Sequence, residues 1–335
     1  MNLKRSLVFV LLYLVSAISL SGEIDVTDKN VGSFVTWIDS SATTLKYLEP
    51  GRGFKDIDTL KEVFRGTEII ALGESTHGTK EFFTVRHRLL EFLVVEMGFN
   101  TFVIEANYGA SALVNDYIHH GRGDLSKILV ALGGSGMWNV EEFANVLEWL
   151  RIYNLSVNPM DKVNFFGMDM KDNHLGMASV LAYVNKILPE VAEPLGRYFQ
   201  KFSIEEEHWL SIALGQRSED ELKRLVPAIE NLLSIFLESR DLFVDKTSFE
   251  SYEENLFHIK LMLQWLSMNI TEMRPASVPA ELVPANVMRS RNMAKNLIKI
   301  IERQKRPVKA VVWAHNYHVG AGFDHKNQYI ANMGG

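Results

Sequence analysis

The sequence contains no cysteine, which excludes disulfides, thiolate metal centres and cysteine nucleophiles and leaves an oxidising compartment neither required nor forbidden. Surplus positive charge is also missing. Lys and Arg number 35 against 41 Asp and Glu, a formal net charge of −6, so nucleic-acid phosphates and anionic lipid are repelled. Neither is an expected partner, and a small molecule is. There is no HExxH helix, and the glycine-rich loops at 121 to 123 and 133 to 136 lack both the GxGxxG spacing and a P-loop lysine. No cofactor is expected. No fixed-period repeat or low-complexity tract occurs, and 335 residues, 47% of them hydrophobic, can bury a substantial core.

The N-terminal apolar run from Leu7 to Ala17 falls short of the roughly 20 residues that a membrane-spanning helix needs. Lys4 and Arg5 precede it, and Ser19, Ser21 and Gly22 follow. That layout predicts a signal peptide over residues 1–22 and export of residues 23–335 to the periplasm or beyond, with no stable membrane association after cleavage. Cleavage removes two positive charges, taking the net charge from −6 to −8.

Four apolar runs read as strands buried on both faces, as in a parallel sheet covered by helices. They are Thr67–Gly73, Thr101–Glu105, Val163–Met168 and Val308–Ala314. Helical stripes separate the first three, such as Phe82, Leu89, Leu93 and Met97 with Gly98 as the stop, which makes βαβ units. A further helical segment is expected to lead the chain between Asp25 and Gly66. From about 176 to 304 the periodicity is almost wholly helical, with an acidic cluster at Glu205–Glu207. The expected fold is therefore α/β, a mostly parallel sheet flanked by helices, with a large helical cap inserted between the third and fourth strands.

In such sheets ligands bind beyond the carboxyl ends of the strands, and all four runs end in ionisable residues: Glu74 with His77, Glu105, Asp169, and His315 with His318. Glu74 and His77, three apart in a turn, can lie side by side, and a carboxylate both fixes a histidine tautomer and raises its basicity, which suits a general base for water. The alternative is that Glu74 caps the next helix. Arg86 falls on the apolar stripe between Phe82 and Leu89, where its charge needs a carboxylate or a substrate oxygen. Strand-end carboxylates are its expected partners. Glu105 occupies a dry strand end, where burial raises its pKa unless Arg86 or protonated His77 offsets it. Asp169 reads as a supporting residue. The pair His315-x-x-His318 leaves a metal reading open, using His77, His315, His318 and a glutamate. Gly73-Glu74-Ser75-Thr76-His77 opens like a nucleophile elbow, but histidine stands where that turn needs glycine.

The segments Ala71–Thr79, Met137-Trp138-Asn139, Phe165–Met170 and Val312–Val319 together resemble the erythromycin esterase family. The resemblance implies a metal-independent hydrolase that opens macrolide lactones by activating water directly, without an acyl-enzyme. On the matching positions His77 is the general base, and Glu74, Arg86, Glu105 and His315 complete the polar site. Asp169 and His318 are then expected to contact substrate, while Arg86 and His315 stabilise the oxyanion or protonate the leaving alkoxide. The cleft is expected between the strand ends and the helical cap. Family chains continue well beyond the last histidine motif, so the sequence is expected to be a fragment lacking a closing strand and helix. Ser290, after Arg289, stands where an acidic residue is expected. Export differs from the cytoplasmic resistance enzymes and favours an extracytoplasmic substrate, and family members with other substrates leave the macrolide open.

Overall fold

A computed structural model describes residues 8–10, 32–33, 35–36, 40, 45–133, 136–171, 174–200, 219–272 and 285–320. Apart from Val8–Val10 the expected signal peptide lies outside these residues, as do Glu205–Glu207. Among the described residues five strands occur: β1 (Val8–Val10), β2 (Ile69–Glu74), β3 (Thr101–Asn107), β4 (Asn164–Asp169) and β5 (Ala310–His315). The helices are α1 (Leu60–Val63), α2 (Lys80–Met97), α3 (Ser111–His120), α4 (Leu125–Gly133), α5 (Glu141–Ser156), α6 (His174–Ile187), α7 (Pro189–Gln200), α8 (Glu219–Glu238), α9 (Arg240–Lys246), α10 (Phe249–Glu272), α11 (Ala285–Glu302) and α12 (Asn316–Val319). The class is the expected α/β, with parallel strands, flanking helices and a helical insertion between β4 and β5. No helix of the described residues is long and apolar enough to cross a membrane. The chain divides into two compact units, Met1–Asn100 with Lys309–Phe323, and Thr101–Val308 with Asp324–Gly335.

In the first unit β2 pairs in parallel with β1 and with β5, in a register that runs from Ile69 opposite Ala310 to Glu74 opposite His315. Helix α2 follows β2 and ends at Gly98, whose left-handed backbone (φ 69°) lets its N–H reach the Val94 carbonyl while Phe99 N–H reaches that of Leu93. This closing turn satisfies carbonyls that the helix end would leave bare. The helix also carries buried charge. Arg88 grips both oxygens of Asp56 and the Tyr47 and Gly53 carbonyls, and Glu91 accepts the Gly51 N–H at 2.8 Å. Two side chains of one helix thereby pin the loop around residues 47–56.

In the second unit β3 and β4 pair in parallel, and every residue of β3 is buried. The open edge of β4 is covered by side chains at alternate positions. Asn154 brackets Val163, Asn115 brackets Phe165, and Ser111 Oγ accepts the Gly167 N–H at 2.9 Å. Each amide offers one donor and one acceptor, so it reproduces the pair of bonds that a further strand would make. A bulge in β3 puts Ile104 opposite Gly167 but Asn107 opposite Asp169, one extra residue that bends β3 over Gly167. A Cβ at Gly167 would stand 2.3 Å from the Ala106 carbonyl oxygen and 2.4 Å from that of Asn107. Helices α6, α8, α9 and α10 share an aromatic core of Tyr183, Phe236, Phe243 and Tyr252, with Phe236 and Phe243 rings 4.4 Å apart.

Two substitutions test this account by chemical denaturation. Gly167→Ala drives a methyl into backbone and is expected to destabilise by about 1–3 kcal/mol or more. Asn154→Ala strips both hydrogen bonds from buried Val163 and is expected to cost about 1–3 kcal/mol for each bare group.

Candidate active site

The parallel register of β2 and β5 ends on Glu74 opposite His315, so both side chains emerge at the same end of the strands. Glu74 is 1% exposed, and a carboxylate that dry needs a cation and hydrogen bonds for both oxygens. It has them. Oε1 lies 2.6 Å from His77 Nδ1, and Oε2 accepts from Arg86 Nη2. Arg86, also 1% exposed, donates through Nε to the Phe82 carbonyl at 3.1 Å and stacks its guanidinium 3.9 Å from the Trp313 ring centre. The expectation that Arg86 meets a strand-end carboxylate holds, and that carboxylate is Glu74.

A carboxylate only accepts, so the Glu74 contact assigns a proton to Nδ1 of His77 and leaves Nε2 of the neutral ring with its lone pair. The His77 side chain is 43% exposed, which keeps that nitrogen within reach of water. The His315 ring lies beside it, centroids 5.1 Å apart and planes tilted by 55°. His318, on α12, is partly buried with its ring edge-on to Tyr317 at 5.2 Å.

Glu105 and Asp169 belong to a cluster in the second unit. Asp169 closes β4, while Glu105 sits two residues before the end of β3 rather than at it, because the bulge extends that strand to Asn107. The cation beside them is Arg289 of α11, where Arg86 or His77 was expected for Glu105. Its Nη2 donates to Glu105 Oε1 at 2.8 Å and also to Asp169 Oδ2, which accepts from Nε at 2.9 Å. Burial works against its charge, but attraction to Asp169 and then Glu105 prevails and holds the guanidinium above its ordinary pKa. Trp138 donates its indole N–H to the Glu105 carbonyl at 3.0 Å, which gives the Met137-Trp138-Asn139 segment a structural task. The sequence assigns Arg289 no role, although with Met293, Asn296 and Ile300 it follows the buried stripe of α11, the signal that singled out Arg86.

The second unit also contains a cavity of about 810 Å³ lined by residues including Tyr108, Phe166, Glu253, Glu254, Lys299 and Arg303. Ion pairs cross its walls from α10 to the α11 side, Glu253 with Lys299 at 3.8 Å and Glu254 with Arg303 at 2.5 Å. Burial opposes ionisation of Glu254, yet His258 and Arg303 bring its pKa down to about 2. Burial, and then the charge of Glu254, push the Tyr108 hydroxyl well up, so it stays protonated and donates to Glu254. Charges already matched in this way describe a helix seam.

Among the described residues no group of three or more His, Asp or Glu side chains is arranged to hold a metal ion. His87 is interior, and burial lowers its pKa to about 4, so it is neutral near pH 7. His208 and His325 lie outside the described residues.

The erythromycin esterase family model matches residues 94–335. Glu74, His77 and Arg86 precede that stretch. The erythromycin esterase type II of Escherichia coli is 24% identical over 293 residues, covering 85% of this chain and 68% of the relative. A Bacillus cereus protein of known crystal structure superposes with TM-score 0.69 at 21% identity, over 85% of this chain and 66% of that one. The erythromycin esterase EreC, a mutant in its open conformation, superposes with TM-score 0.65 at 18% identity, over 80% of this chain and 66% of that one. The two superpositions speak to the fold, and this chain spans about two-thirds of the length of each of these proteins. With the family model covering well over half of its residues, the chain belongs to the erythromycin esterase family.

Proposed function

We propose that the protein hydrolyses an ester or lactone by direct activation of water, with His77 as general base. Membership of the erythromycin esterase family supports hydrolysis of an ester or lactone bond. One observation carries the mechanism: Glu74 binds His77 Nδ1 through one oxygen and buried Arg86 through the other. The Glu74–Arg86 pair is neutral without a proton on the imidazole, so Nε2 is left to accept one.

In this reading Nε2 takes a proton from water as the water oxygen attacks the carbonyl carbon. The tetrahedral oxyanion then collapses, the carbon–oxygen bond to the leaving group breaks, and the alkoxide recovers the proton from His77. The products are an alcohol or hydroxyl arm and a carboxylic acid that ionises. A positioned base is worth about 10² to 10⁴ in rate. Arg86 serves here as counter-ion and orienting group for Glu74, since its guanidinium is engaged by Glu74, Phe82 and Trp313. We further propose export, on the Lys4-Arg5 and Leu7–Ala17 layout; N-terminal sequencing of the mature protein is expected to find a start near Glu23.

A screen of lactones and simple esters, run with and without a chelator, tests the activity. His77→Ala is expected to lower kcat/KM on any substrate found by about 10² or more while destabilising the fold less than Arg86→Ala, because Arg86 still pairs the Glu74 charge; a variant as active as wild type removes His77 from the mechanism. Arg86→Ala strands the buried Glu74 carboxylate, and denaturation is expected to report a loss of about 3–5 kcal/mol. A loss below about 1 kcal/mol, the range of an exposed pair, contradicts the buried pair.

A further inference from the structure

We infer that His315 is a positioning residue whose proton is spent on the backbone of the Ser75 turn, and that it is held in the tautomer opposite to that of His77. Its functional part rests on the general-base reading above. His315 Nδ1 accepts the Tyr317 N–H at 3.1 Å, an N-cap bond for α12. A nitrogen that accepts carries no proton, so in the neutral ring the proton sits on Nε2. Nε2 in turn lies 3.1 Å from the Ser75 carbonyl oxygen, which can only accept. Both contacts therefore demand the same tautomer, Nε2–H. His77 is the reverse, with Nδ1–H on Glu74 and Nε2 bare.

Ser75 follows Glu74 directly and precedes His77 by two residues. A hydrogen bond to its carbonyl fixes the peptide from which the carboxylate and the imidazole both diverge. The strand beneath is held by close contact as well. A Cβ at Gly73 would stand 2.1 Å from Asn316 Oδ1, so glycine leaves room for the Asn316 side chain to lie against β2 as it does. The end of β5 thus grips the end of β2 twice, through Asn316 over Gly73 and through His315 on Ser75. Two consequences follow for the chemistry. His315 has no proton to give the leaving group while it holds Ser75, so the proton taken up by His77 is the one returned. The expected role of His315 at the oxyanion or leaving group is replaced by one of alignment, where a misplacement of about 1 Å costs about 10² in rate.

Nitrogen-15 NMR of the uniformly labelled full chain reads the tautomers directly. The expected spectrum shows His315 protonated on Nε2 and His77 on Nδ1; a His315 ring protonated on Nδ1 overturns the proposal whether or not the protein hydrolyses any ester. Two variants then separate alignment from proton donation. His315→Gln keeps an amide N–H that reaches toward Ser75 and loses the cap, whereas His315→Asn keeps an acceptor for Tyr317 and is too short for Ser75. The proposal predicts that His315→Asn shifts the His77 ring signals and loses at least about tenfold more kcat than His315→Gln, with KM little moved. Equal collapse of kcat in both, with unshifted His77 signals, points to a proton donor and overturns it. Absence of hydrolysis by the wild type removes the general-base reading, and the tautomers still judge the strap.

Discussion

A carboxylate withdrawn from water at the end of β2 constrains everything around it. Glu74 has two oxygens and almost no solvent, and an unpaired charge there costs several kcal/mol. Arg86 meets one oxygen from the second turn of α2, which requires a buried arginine on an apolar stripe and an aromatic surface, Trp313, for its flat face. The other oxygen remains to be satisfied, and the turn from Ser75 to Thr79 brings His77 to it. The orientation of the histidine is thus a by-product of solving a burial problem. A group fixed by such a constraint has little entropy left to lose, which suits the general base proposed for His77.

The second unit solves the same problem differently. Glu105 and Asp169 share one guanidinium, that of Arg289, and the Arg289 charge is stabilised by the pair as theirs is by it. In both places the cation comes from a buried, mostly apolar helix stripe, and in both it is arginine, whose planar fork engages carboxylate oxygens while its stem stays in the core. The bulge in β3 and the bare Cα of Gly167 allow the two acidic residues to share it.

Much of this was legible in the amino-acid order. Strands buried on both faces announce themselves as apolar runs, and a charge after such a run, or on a helix stripe, stands out because burial makes it costly. Glu74, His77, Arg86, Asp169 and His315 were visible for that reason, and so was the pairing of Arg86 with a strand-end carboxylate. What stayed hidden depends on register and backbone detail. No periodicity reveals that β3 runs on to Asn107 through a bulge, that Glu105 meets Arg289 some 184 residues away, or that His315 is bound to main-chain atoms at both nitrogens. Asn115, Asn154 and Ser111, which finish the edge of β4, look like ordinary polar residues on helices until the strand lies beside them.

Under the proposed mechanism Glu74 and His77 act as one unit. A double-mutant cycle on kcat/KM with Glu74→Gln, His77→Ala and the combined variant measures this most directly. Coupled residues predict that the double variant is no slower than His77→Ala alone, because a carboxylate with no imidazole to orient contributes nothing further. Losses that simply multiply would show two independent contributions and contradict the account.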